Sequence, residues 1–410
     1  MGRQVQSSFN HQVQSFCIFK TCLHMVLYYT RRTIMDKKLR VVVIGTGNVA
    51  SIAIRSLKGR PDMELVGVWG HPEFDAKKIG TDSGLLDSDE PNGVLITGSR
   101  EEIFDLKPDC AVMVINIRDP RQAAAVNGEW YASFLSRGIN VVTTSLADLM
   151  WPAKAAAKEL CEQLDNIGKS TGASIFMNGQ EPGFADHQAM FLASCSNTIK
   201  TLTISEMYNY SSTPARAELA PSYGFDEDPE FMATLQIPDV QKMVWGITIH
   251  HIANELGYEL EDITTSFEKQ VCDHDVECAW GTIQAGKVVA VRVRTCGIIE
   301  GREAIVIEHV NRMAQDVAMD WPWTDRVGQI RVTIEGDPNL QVDMNVGIPE
   351  KPEELSYDGY VLTAMRVVNA IPAVCKAKGG VVTIHDISEY LPAGAFRSDA
   401  TFIDHKVSKA

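Results

Sequence analysis

The sequence predicts an α/β protein in which a doubly wound parallel sheet is followed by a second α+β domain with a mainly antiparallel sheet. Up to about residue 195, short apolar β-branched segments alternate with helical patterns, which is typical of strands buried on both faces and linked by crossover helices. Beyond residue 198 the segments alternate apolar and polar residues and carry no such rhythm. We therefore expect domains over residues 36–195 and 196–358, and a C-terminal helix and tail over 359–410 that packs back on the first domain.

Composition restricts the class of protein. The chain has 410 residues, 45% of them hydrophobic, and a formal net charge of -15. Because phosphate contacts need clustered lysine and arginine, this charge argues against nucleic acid as a partner. The sequence contains no apolar stretch of 18 residues, so it predicts no membrane span. The nine cysteines are scattered singly, which indicates reduced thiols and a cytoplasmic protein. Residues 1–35 fit none of these patterns and are expected to form a disordered leader.

The first predicted strand, Val41 to Ile44, ends in a glycine turn. Gly45 and Gly47 can adopt backbone angles closed to other residues, and Gly47 has no Cβ to hold a pyrophosphate away from the backbone. Apolar residues at helical spacing then predict a helix from Asn48, whose N–H groups would face the anion. A second strand follows at residues 63–69. This order within about 30 residues indicates a dinucleotide-binding Rossmann fold, and the expected cofactor contacts are Gly45, Thr46, Gly47, Asn48 and Val49.

The turn after the second strand bears on the choice between NADP and NAD. An NAD-selective site normally carries a carboxylate at this strand tip, but the sequence has His71 there, and Asp75 comes only later. Lys77 and Lys78 follow and are suited to contact a 2'-phosphate. We therefore expect His71 and Lys77 to contact the cofactor, and NADP to be slightly favoured over NAD. The alternative is that Lys77 and Lys78 are solvated charges on a surface loop and contact no cofactor.

Later strands bring polar residues to the same edge of the sheet. A short strand is expected at 95–97 and a helix at 100–106, before a buried strand over 110–115 that ends at Asn116. A helix to Ser136 leads to a strand over 140–144. Because ligands of open α/β sheets lie outside the carboxyl ends of the strands, Asn116, Thr144 and Ser145 are predicted to contact the cofactor.

The next loop is more constrained than a simple connection. A helix is predicted from Ala153 to about Gly172, and a strand over 174–177. Residues 178–186 then read Asn-Gly-Gln-Glu-Pro-Gly-Phe-Ala-Asp, so that two glycines and a proline separate this strand from the following helix. In the second domain, strands are expected over 201–210, 288–294, 303–311, 329–335 and 340–346, with a helix over 244–256. A helix over 359–375 and a short strand over 381–383 close the chain.

Several stretches resemble the dihydrodipicolinate reductase-like NAD(P)-dependent oxidoreductases, on the branch of 2,4-diaminopentanoate dehydrogenase and the native amine dehydrogenases. They include Val-Val-Val-Ile-Gly-Thr-Gly-Asn-Val-Ala, Asn-Val-Val-Thr-Thr with the later Trp-Pro, Pro-Gly-Phe, Ile-Glu-His-Val-Asn-Arg and, most particularly, Asn-Ala-Ile-Pro-Ala-Val near the end. The resemblance covers about residues 39–397. It implies NAD(P)-linked chemistry at a carbon bearing nitrogen, a small carbonyl or amine substrate, and a homodimer held by the second domain.

The chain departs from this family at two points. True dihydrodipicolinate reductases carry a histidine-rich motif with a lysine for the dicarboxylate substrate, whereas His250-His251 is followed by Ile-Ala-Asn. Biosynthetic dihydrodipicolinate reduction is therefore disfavoured. In the amine dehydrogenase branch, the loop after the fifth strand carries a glutamate. The nearest match here is Asp148, one carbon shorter, in a loop one residue longer.

Two carboxylates are candidates for proton transfer. Hydride transfer is the work of the nicotinamide, but reductive amination also needs a group that takes up and returns protons. Asp148 and Glu181 both follow strands that point toward the expected nicotinamide. The alternative for Asp148 is a cap at a helix N-terminus. The alternative for Glu181 is a loop carboxylate that accepts backbone N–H bonds.

The remaining candidate residues have simpler alternatives. Pro182, Phe184, Tyr208 and Phe225 fall where the resemblance implies a substrate pocket, although the aromatic residues equally suit a core. The segment from Cys272 to Cys278 contains metal-ligand residue types, but its spacing fits no closed zinc pattern and no metal is expected. His250 and His251 lie on a predicted helix, with one side chain facing the core and the other solvent.

Three functions follow from these observations. The first is an NAD(P)-dependent amine dehydrogenase or imine reductase. The second is a carbonyl reductase whose pocket never admits ammonia. The third is an NAD(P)-binding sensor that has lost catalysis, for which the aspartate in place of glutamate would be the sign.

Overall fold

The described part of the chain forms two large sheets and one small hairpin. A computed structural model describes residues 37–86, 88, 90–115, 122–348, 350–352 and 355–387. The first sheet has seven parallel strands, which in chain order are β1 (Leu39–Ile44), β2 (Met63–Trp69), β3 (Ile96–Thr97), β4 (Cys110–Met113), β5 (Asn140–Thr143), β6 (Ser174–Met177) and β15 (Gly380–Val381). The helices of this part are α1 (Asn48–Leu57), α2 (Arg100–Asp105), α3 (Ala123–Leu135) and α4 (Lys158–Thr171).

The strand order of the first sheet is β15-β6-β5-β4-β1-β2-β3. The chain leaves β1 toward one edge through β2 and β3, and then returns to the other side of β1 with β4. This reversal creates the crevice between β1 and β4 at which open α/β sheets bind ligands. The predicted doubly wound parallel sheet is thereby confirmed, with a seventh strand added from the C-terminal segment.

The second sheet has six long strands and covers the middle of the chain. These are β7 (Thr198–Asn209), β8 (Asp262–Val271), β11 (Val288–Ile299), β12 (Arg302–Arg312), β13 (Gly328–Asp337) and β14 (Leu340–Val346), in the spatial order β14-β13-β7-β12-β11-β8. Only the pair of β7 and β12 is parallel. The predicted mainly antiparallel sheet is therefore confirmed. A two-stranded hairpin, β9 (Val276–Cys278) and β10 (Gly281–Ile283), lies outside it.

Helices pack on the second sheet. Helices α5 (Ala185–Ala193), α6 (Arg216–Tyr223) and α7 (Pro238–Glu255) belong to the second part of the chain. Apolar residues of α5 and α7 share a buried cluster with inward-facing residues of β7, β12 and β13. None of the helices in the described ranges is both long and apolar enough to cross a membrane.

The C-terminal segment returns to the first sheet. Helix α8 (Leu355–Val368) packs on α1, and a short helix α9 (Ile371–Val374) leads to β15, which pairs with β6. Val367, Ile371 and Val382 are completely buried in the same apolar cluster as Val41 and Val43 of β1. The core of the first sheet is therefore completed by residues more than 300 positions later in the chain.

Two predicted helices are wrong in extent. The helix expected from Ala153 begins only at Lys158, because two 3₁₀ turns, Ala147–Met150 and Pro152–Lys154, come first. The closing helix expected over 359–375 is interrupted after Val368, and the chain restarts with Pro372 in the first turn of α9, where a missing N–H costs nothing. Residues 1–35 lie outside the described part of the chain.

Candidate active site

The glycine turn after β1 has the shape of an anion cradle. Gly45 has φ +130°, and a Cβ there would lie 3.0 Å from the carbonyl oxygen of Val114. Gly47 precedes α1, no side chain caps this helix, and a Cβ on Gly47 would meet no atom within 4 Å. The start of α1, from Asn48 onward, therefore has no side-chain cap and lies at the positive end of the helix dipole. The pyrophosphate of a dinucleotide fits this turn.

A carboxylate and an ammonium group brace the same turn. Asp75 accepts hydrogen bonds from the Thr46 hydroxyl at 2.6 Å and from the His71 N–H at 2.9 Å. Lys78 Nζ donates to the carbonyl and hydroxyl oxygens of Thr46 and lies 3.2 Å from Asp75. Burial alone would raise the pKa of Asp75, but these donors together lower it below its ordinary value. A carboxylate thus does stand at the tip of β2, brought there by folding rather than by sequence position.

The other expected cofactor residues have different surroundings. Lys77 is exposed and, within the described part of the chain, makes no hydrogen bond or ion pair. Ser145, just after β5, donates through its hydroxyl to the carbonyl oxygen of Ile115 after β4, so the ends of these two strands are tied together. Thr144 lines the cavity described next. Asn116 lies outside the described residues.

A cavity of about 360 Å³ opens at the carboxyl ends of β5 and β6. It is mostly apolar and is closed on the far side by Met243 and Val244 of α7. From the first part of the chain its walls are Ala124, Thr144, Leu146, Ala147, Asp148, Ala156, Ala157, Met177 and Pro182. A mostly apolar cavity with one carboxylate, at the carboxyl ends of parallel strands, is the usual form of a small-molecule site.

Asp148 is the carboxylate of this cavity. The residue is 7% exposed, and its Oδ1 accepts a hydrogen bond from the N–H of Ala157 at 3.0 Å, just before α4 begins. The side chain therefore caps the start of α4, and the same residue lines the cavity, while its role in proton transfer stays a prediction. Asp148 lines a second cavity as well, of about 380 Å³, together with the cationic Lys154 and Lys242.

Glu181 belongs to a buried charged network instead of the cavity wall. Its Oε2 accepts hydrogen bonds from Trp245 Nε1 at 2.6 Å and lies 3.0 Å from His309 Nε2. The other ring nitrogen of His309 lies 3.2 Å from Glu206 Oε1. Glu206 in turn accepts from Gln180 Nε2 at 2.9 Å. The side chain of Glu181 is only 1% exposed, which makes this a buried Glu-His-Glu arrangement.

The charge of this network is fixed by His309. Burial alone would lower the pKa of His309, but Glu206 and Glu181 outweigh it and raise the pKa to about 10. The imidazole is therefore protonated at neutral pH and compensates its two carboxylates. One oxygen, Oε1 of Glu181, is buried without a hydrogen-bond partner among the described residues.

The loop that carries Glu181 is held in place by a glycine and by α8. Gly183 has φ +139°, and a Cβ there would lie 2.8 Å from Asn178 Oδ1. Arg366 of α8 donates from Nε to the same Asn178 oxygen at 2.9 Å, and its guanidinium carbon lies 5.5 Å from the ring centroid of Phe184. Pro182 is the residue of this loop that reaches the cavity.

The predicted aromatic pocket residues are deeply buried. Tyr208 is 5% exposed, and its hydroxyl accepts a hydrogen bond from Gln180 at 2.7 Å. Phe225 is completely buried and stacks on Tyr223, with ring centroids 5.4 Å apart. Neither residue lines either of the two cavities. Their role in substrate binding stays a prediction.

Comparisons with known proteins show which proteins the chain is similar to. Residues 228–401 match the model of the 2,4-diaminopentanoate dehydrogenase C-terminal domain. An amine dehydrogenase of Streptomyces virginiae is 29% identical over 354 residues, which cover 85% of this chain and 96% of the relative. The chain is a relative of these dehydrogenases. A 2,4-diaminopentanoate dehydrogenase of Acetoanaerobium sticklandii is 24% identical over 86% of this chain and 94% of its own length.

The fold agrees with a solved structure of this family. The amine dehydrogenase from Mycobacterium smegmatis has a TM-score of 0.67 and 22% identity, covering 87% of this chain and 97% of that one. The family resemblance predicted from the sequence is confirmed by these comparisons, and so is the two-sheet fold.

Sequence reasoning missed the partners of Glu181. His309 and Glu206 stand in β12 and β7, which the sequence presents as ordinary alternating strands. These parallel strands place His309 directly opposite Glu206. The available signal was the run Ile-Glu-His-Val-Asn-Arg, in which charged and polar residues lie next to one another within a strand whose other residues are mostly apolar.

Proposed function

We propose that this protein is an NAD(P)-dependent oxidoreductase that transfers hydride between nicotinamide and a carbon bearing nitrogen, as in reductive amination of a small ketone or aldehyde. The observation that carries the proposal is the mostly apolar cavity with the carboxylate of Asp148, at the same edge of the first sheet as the glycine turn after β1. The relationship to amine dehydrogenases and a diaminopentanoate dehydrogenase supports the same class of reaction.

Each part of the site has a distinct task in this proposal. The N–H groups at the start of α1 bind the pyrophosphate, with Gly45 and Gly47 allowing the close approach. The bound nicotinamide supplies or accepts the hydride. The apolar wall formed by Met177, Met243 and Val244 keeps water from the reacting carbon.

Proton transfer is assigned to Asp148. Ammonium must lose a proton before it attacks a carbonyl, and the carbinolamine must gain one before water leaves, so a single carboxylate can serve both steps. Asp148 faces the cavity, whereas Glu181 is engaged by Trp245 and His309. Glu181 acts in this proposal as a positioning residue that fixes the loop beside Pro182.

The leading test is an assay of purified protein with NADPH or NADH and a panel of short ketones and aldehydes, with and without ammonium. We expect cofactor oxidation that requires both the carbonyl compound and ammonium, with formation of the amine. Oxidation that does not require ammonium would instead identify a carbonyl reductase. Cofactor binding without turnover on any substrate would identify a sensor.

We further propose that NADP is the preferred cofactor and that Lys77 is the residue that selects it, because the carboxylate of Asp75 at the tip of β2 is already engaged by Thr46, His71 and Lys78. Lys77 is exposed beside the turn after β2, while Lys78 is already bound to Thr46 and Asp75. Lys77→Ala should lower the affinity for NADPH by about 10-fold and leave NADH unchanged, since only NADPH carries the 2'-phosphate. Lys107→Ala is the control, because Lys107 precedes β4 and therefore lies at the amino ends of the strands, away from the cofactor turn. An unchanged ratio of the two affinities would exclude Lys77 from selection.

The assembly and compartment are also proposals. The family resemblance implies a homodimer, and the edge strand β14 has an exposed Val342, 44% accessible, on an unpaired edge. All seven cysteines within the described residues are free, which favours a reducing cytoplasm. Analytical ultracentrifugation of the full chain tests the homodimer, and a single species with the mass of one chain would contradict it.

A further inference from the structure

Three ligand-type side chains converge at a place remote from the cofactor turn. His251 and Glu255 are one helical turn apart at the end of α7, and His385 lies 134 positions after His251, in the turn that follows β15. The two Nε2 atoms are 3.3 Å apart, and His385 Nε2 is 3.6 Å from Glu255 Oε1. The three ligand atoms all lie within 4.8 Å of one another.

We propose that His251, Glu255 and His385 bind a divalent transition metal ion, with zinc as the best-suited ion. Zinc bonds imidazole nitrogen at about 2.0–2.1 Å, so two imidazoles on one tetrahedral ion have nitrogens about 3.3–3.4 Å apart. The separation of the two Nε2 atoms matches this value. Two imidazoles and one carboxylate form a known zinc ligand set that leaves a fourth position for water.

The surroundings orient His251 for binding an ion. The ring of His251 is 1% exposed and stacks on Trp151, with centroids 4.7 Å apart, so its orientation is fixed. Glu255 and His385 are exposed, and this gives an ion its path of entry.

A hydrogen bond between the two rings is the simpler alternative. One Nε2–H would then donate to the other Nε2, with the carboxylate of Glu255 3.6 Å from His385 Nε2. A metal ion engages all three groups at once. It also fastens the C-terminal turn, which belongs to the first sheet, to helix α7, whose Met243 and Val244 line the cavity. The ion would thereby act as a clamp between the two parts of the chain, whatever substrate the cavity accepts.

Zinc titration of the full, tag-free chain tests the proposal. The protein is first stripped with a chelator, and free zinc is then followed with a chromophoric competitor. We expect one zinc ion per chain in the wild type, and an affinity at least about 10²-fold lower in His385→Ala, since even residues that only orient ligands contribute 10–100-fold. Glu255→Gln should weaken binding to a smaller degree. His250→Ala is the matched control because His250 is adjacent on α7 but outside the cluster, and its affinity should not change.

A second readout does not depend on affinity. Zinc should raise the melting temperature of the wild type and of His250→Ala, but not that of His385→Ala, because an ion that binds only the native state stabilises it. His385 is exposed, so this variant is expected to fold. Equal zinc affinity in wild type and His385→Ala would overturn the proposal and assign any bound zinc to the thiols. Absence of binding to the wild type would leave the two histidines as a hydrogen-bonded pair.

Discussion

At the scale of single residues, Asp148 and Glu181 illustrate how two carboxylates at neighbouring strand ends obtain different environments. Asp148 faces the cavity and holds one backbone N–H. Glu181 is almost completely buried and shares the charge of His309 with Glu206. A general acid or base must reach the substrate. Asp148 lines the cavity and Glu181 does not, so Asp148 is the better candidate for the catalytic carboxylate.

The substitution Asp148→Asn tests this assignment. The asparagine oxygen still accepts the N–H of Ala157, so the start of α4 is preserved and only the ionisable group is lost. We expect turnover to fall by about 10² or more with little change in cofactor affinity. Glu181→Gln is the comparison. If Glu181→Gln abolishes activity while Asp148→Asn stays within a few-fold, the catalytic carboxylate is on the Pro-Gly-Phe loop.

His309 leads to a prediction about pH and stability. Its pKa is raised from an ordinary value near 6.5 to about 10, so its contribution is complete below about pH 6.5 and is lost as the pH rises toward 10. Between these limits the native state binds one proton more than the unfolded state. The contribution therefore decreases by about 1.4 kcal/mol per pH unit.

Denaturant unfolding of wild type and His309→Gln between pH 7 and 8.5 measures this effect. The window lies above the ordinary pKa of histidine, and groups other than His309 titrate alike in both proteins, so the difference in stability between them reports on His309. The variant should be less stable by about 3–5 kcal/mol at pH 7, since two buried carboxylates lose their partner. The difference should narrow as the pH rises. A difference that is constant across the window would show that His309 is neutral in the native protein.

At the scale of elements, the glycine turn between β1 and α1 leads to a prediction about the variant Gly47→Val. Gly47 has φ -82° and a Cβ there meets no protein atom, so a side chain at this position should not disturb the fold. It would occupy the space in front of the N–H groups of α1. Gly47→Val should therefore abolish dinucleotide binding, measured by fluorescence titration or calorimetry, while the melting temperature of the free protein changes little. Retained cofactor affinity would mean that the pyrophosphate binds elsewhere.

The predictability of the elements depended on how local their determinants are. The strand, turn, helix and strand from β1 to β2 are set by neighbouring residues, and the sequence predicts them correctly. Strand β8 was missed because its polar sequence exposes every other residue at a sheet edge, and an apolar pattern is weak there. The helix expected from Ala153 begins only at Lys158, because two 3₁₀ turns come first and Asp148 accepts the N–H of Ala157 at the start of the helix.

The site was less predictable than the fold for the same reason. Asp75 reaches the tip of β2 only after the loop folds back on Thr46 and His71, so counting along the sequence suggested that no carboxylate stood there. His309 and Glu206 meet through the parallel register of β12 and β7, which a single sequence does not reveal. Contacts across 103 positions require the tertiary structure.

At the scale of the whole molecule, the first sheet depends on the end of the chain. Its seventh strand β15 and the helices α8 and α9 come after the entire second sheet. Val367, Ile371, Val374 and Val382, all completely buried, complete the apolar cluster that contains Val41. Each buried side chain of this size contributes about 1.5–3 kcal/mol, and the sum is comparable with the net stability of a domain.

A fragment containing only residues 36–197 should therefore fail to form a stable domain, although it contains the complete glycine turn and six of the seven strands. Without α8, α9 and β15, the face of β1 that holds Val41 and Val43 would keep its contacts with α1 but lose the part of its apolar cover that Val367, Ile371 and Val382 provide. We expect weak near-ultraviolet circular dichroism, no cooperative thermal transition and no dinucleotide binding. Adding residues 350–410 through a flexible linker is the control, and it should restore all three properties because it supplies the missing helices and β15. If the fragment alone melts cooperatively and binds NADPH, the C-terminal segment is only an attachment to a domain that is already stable.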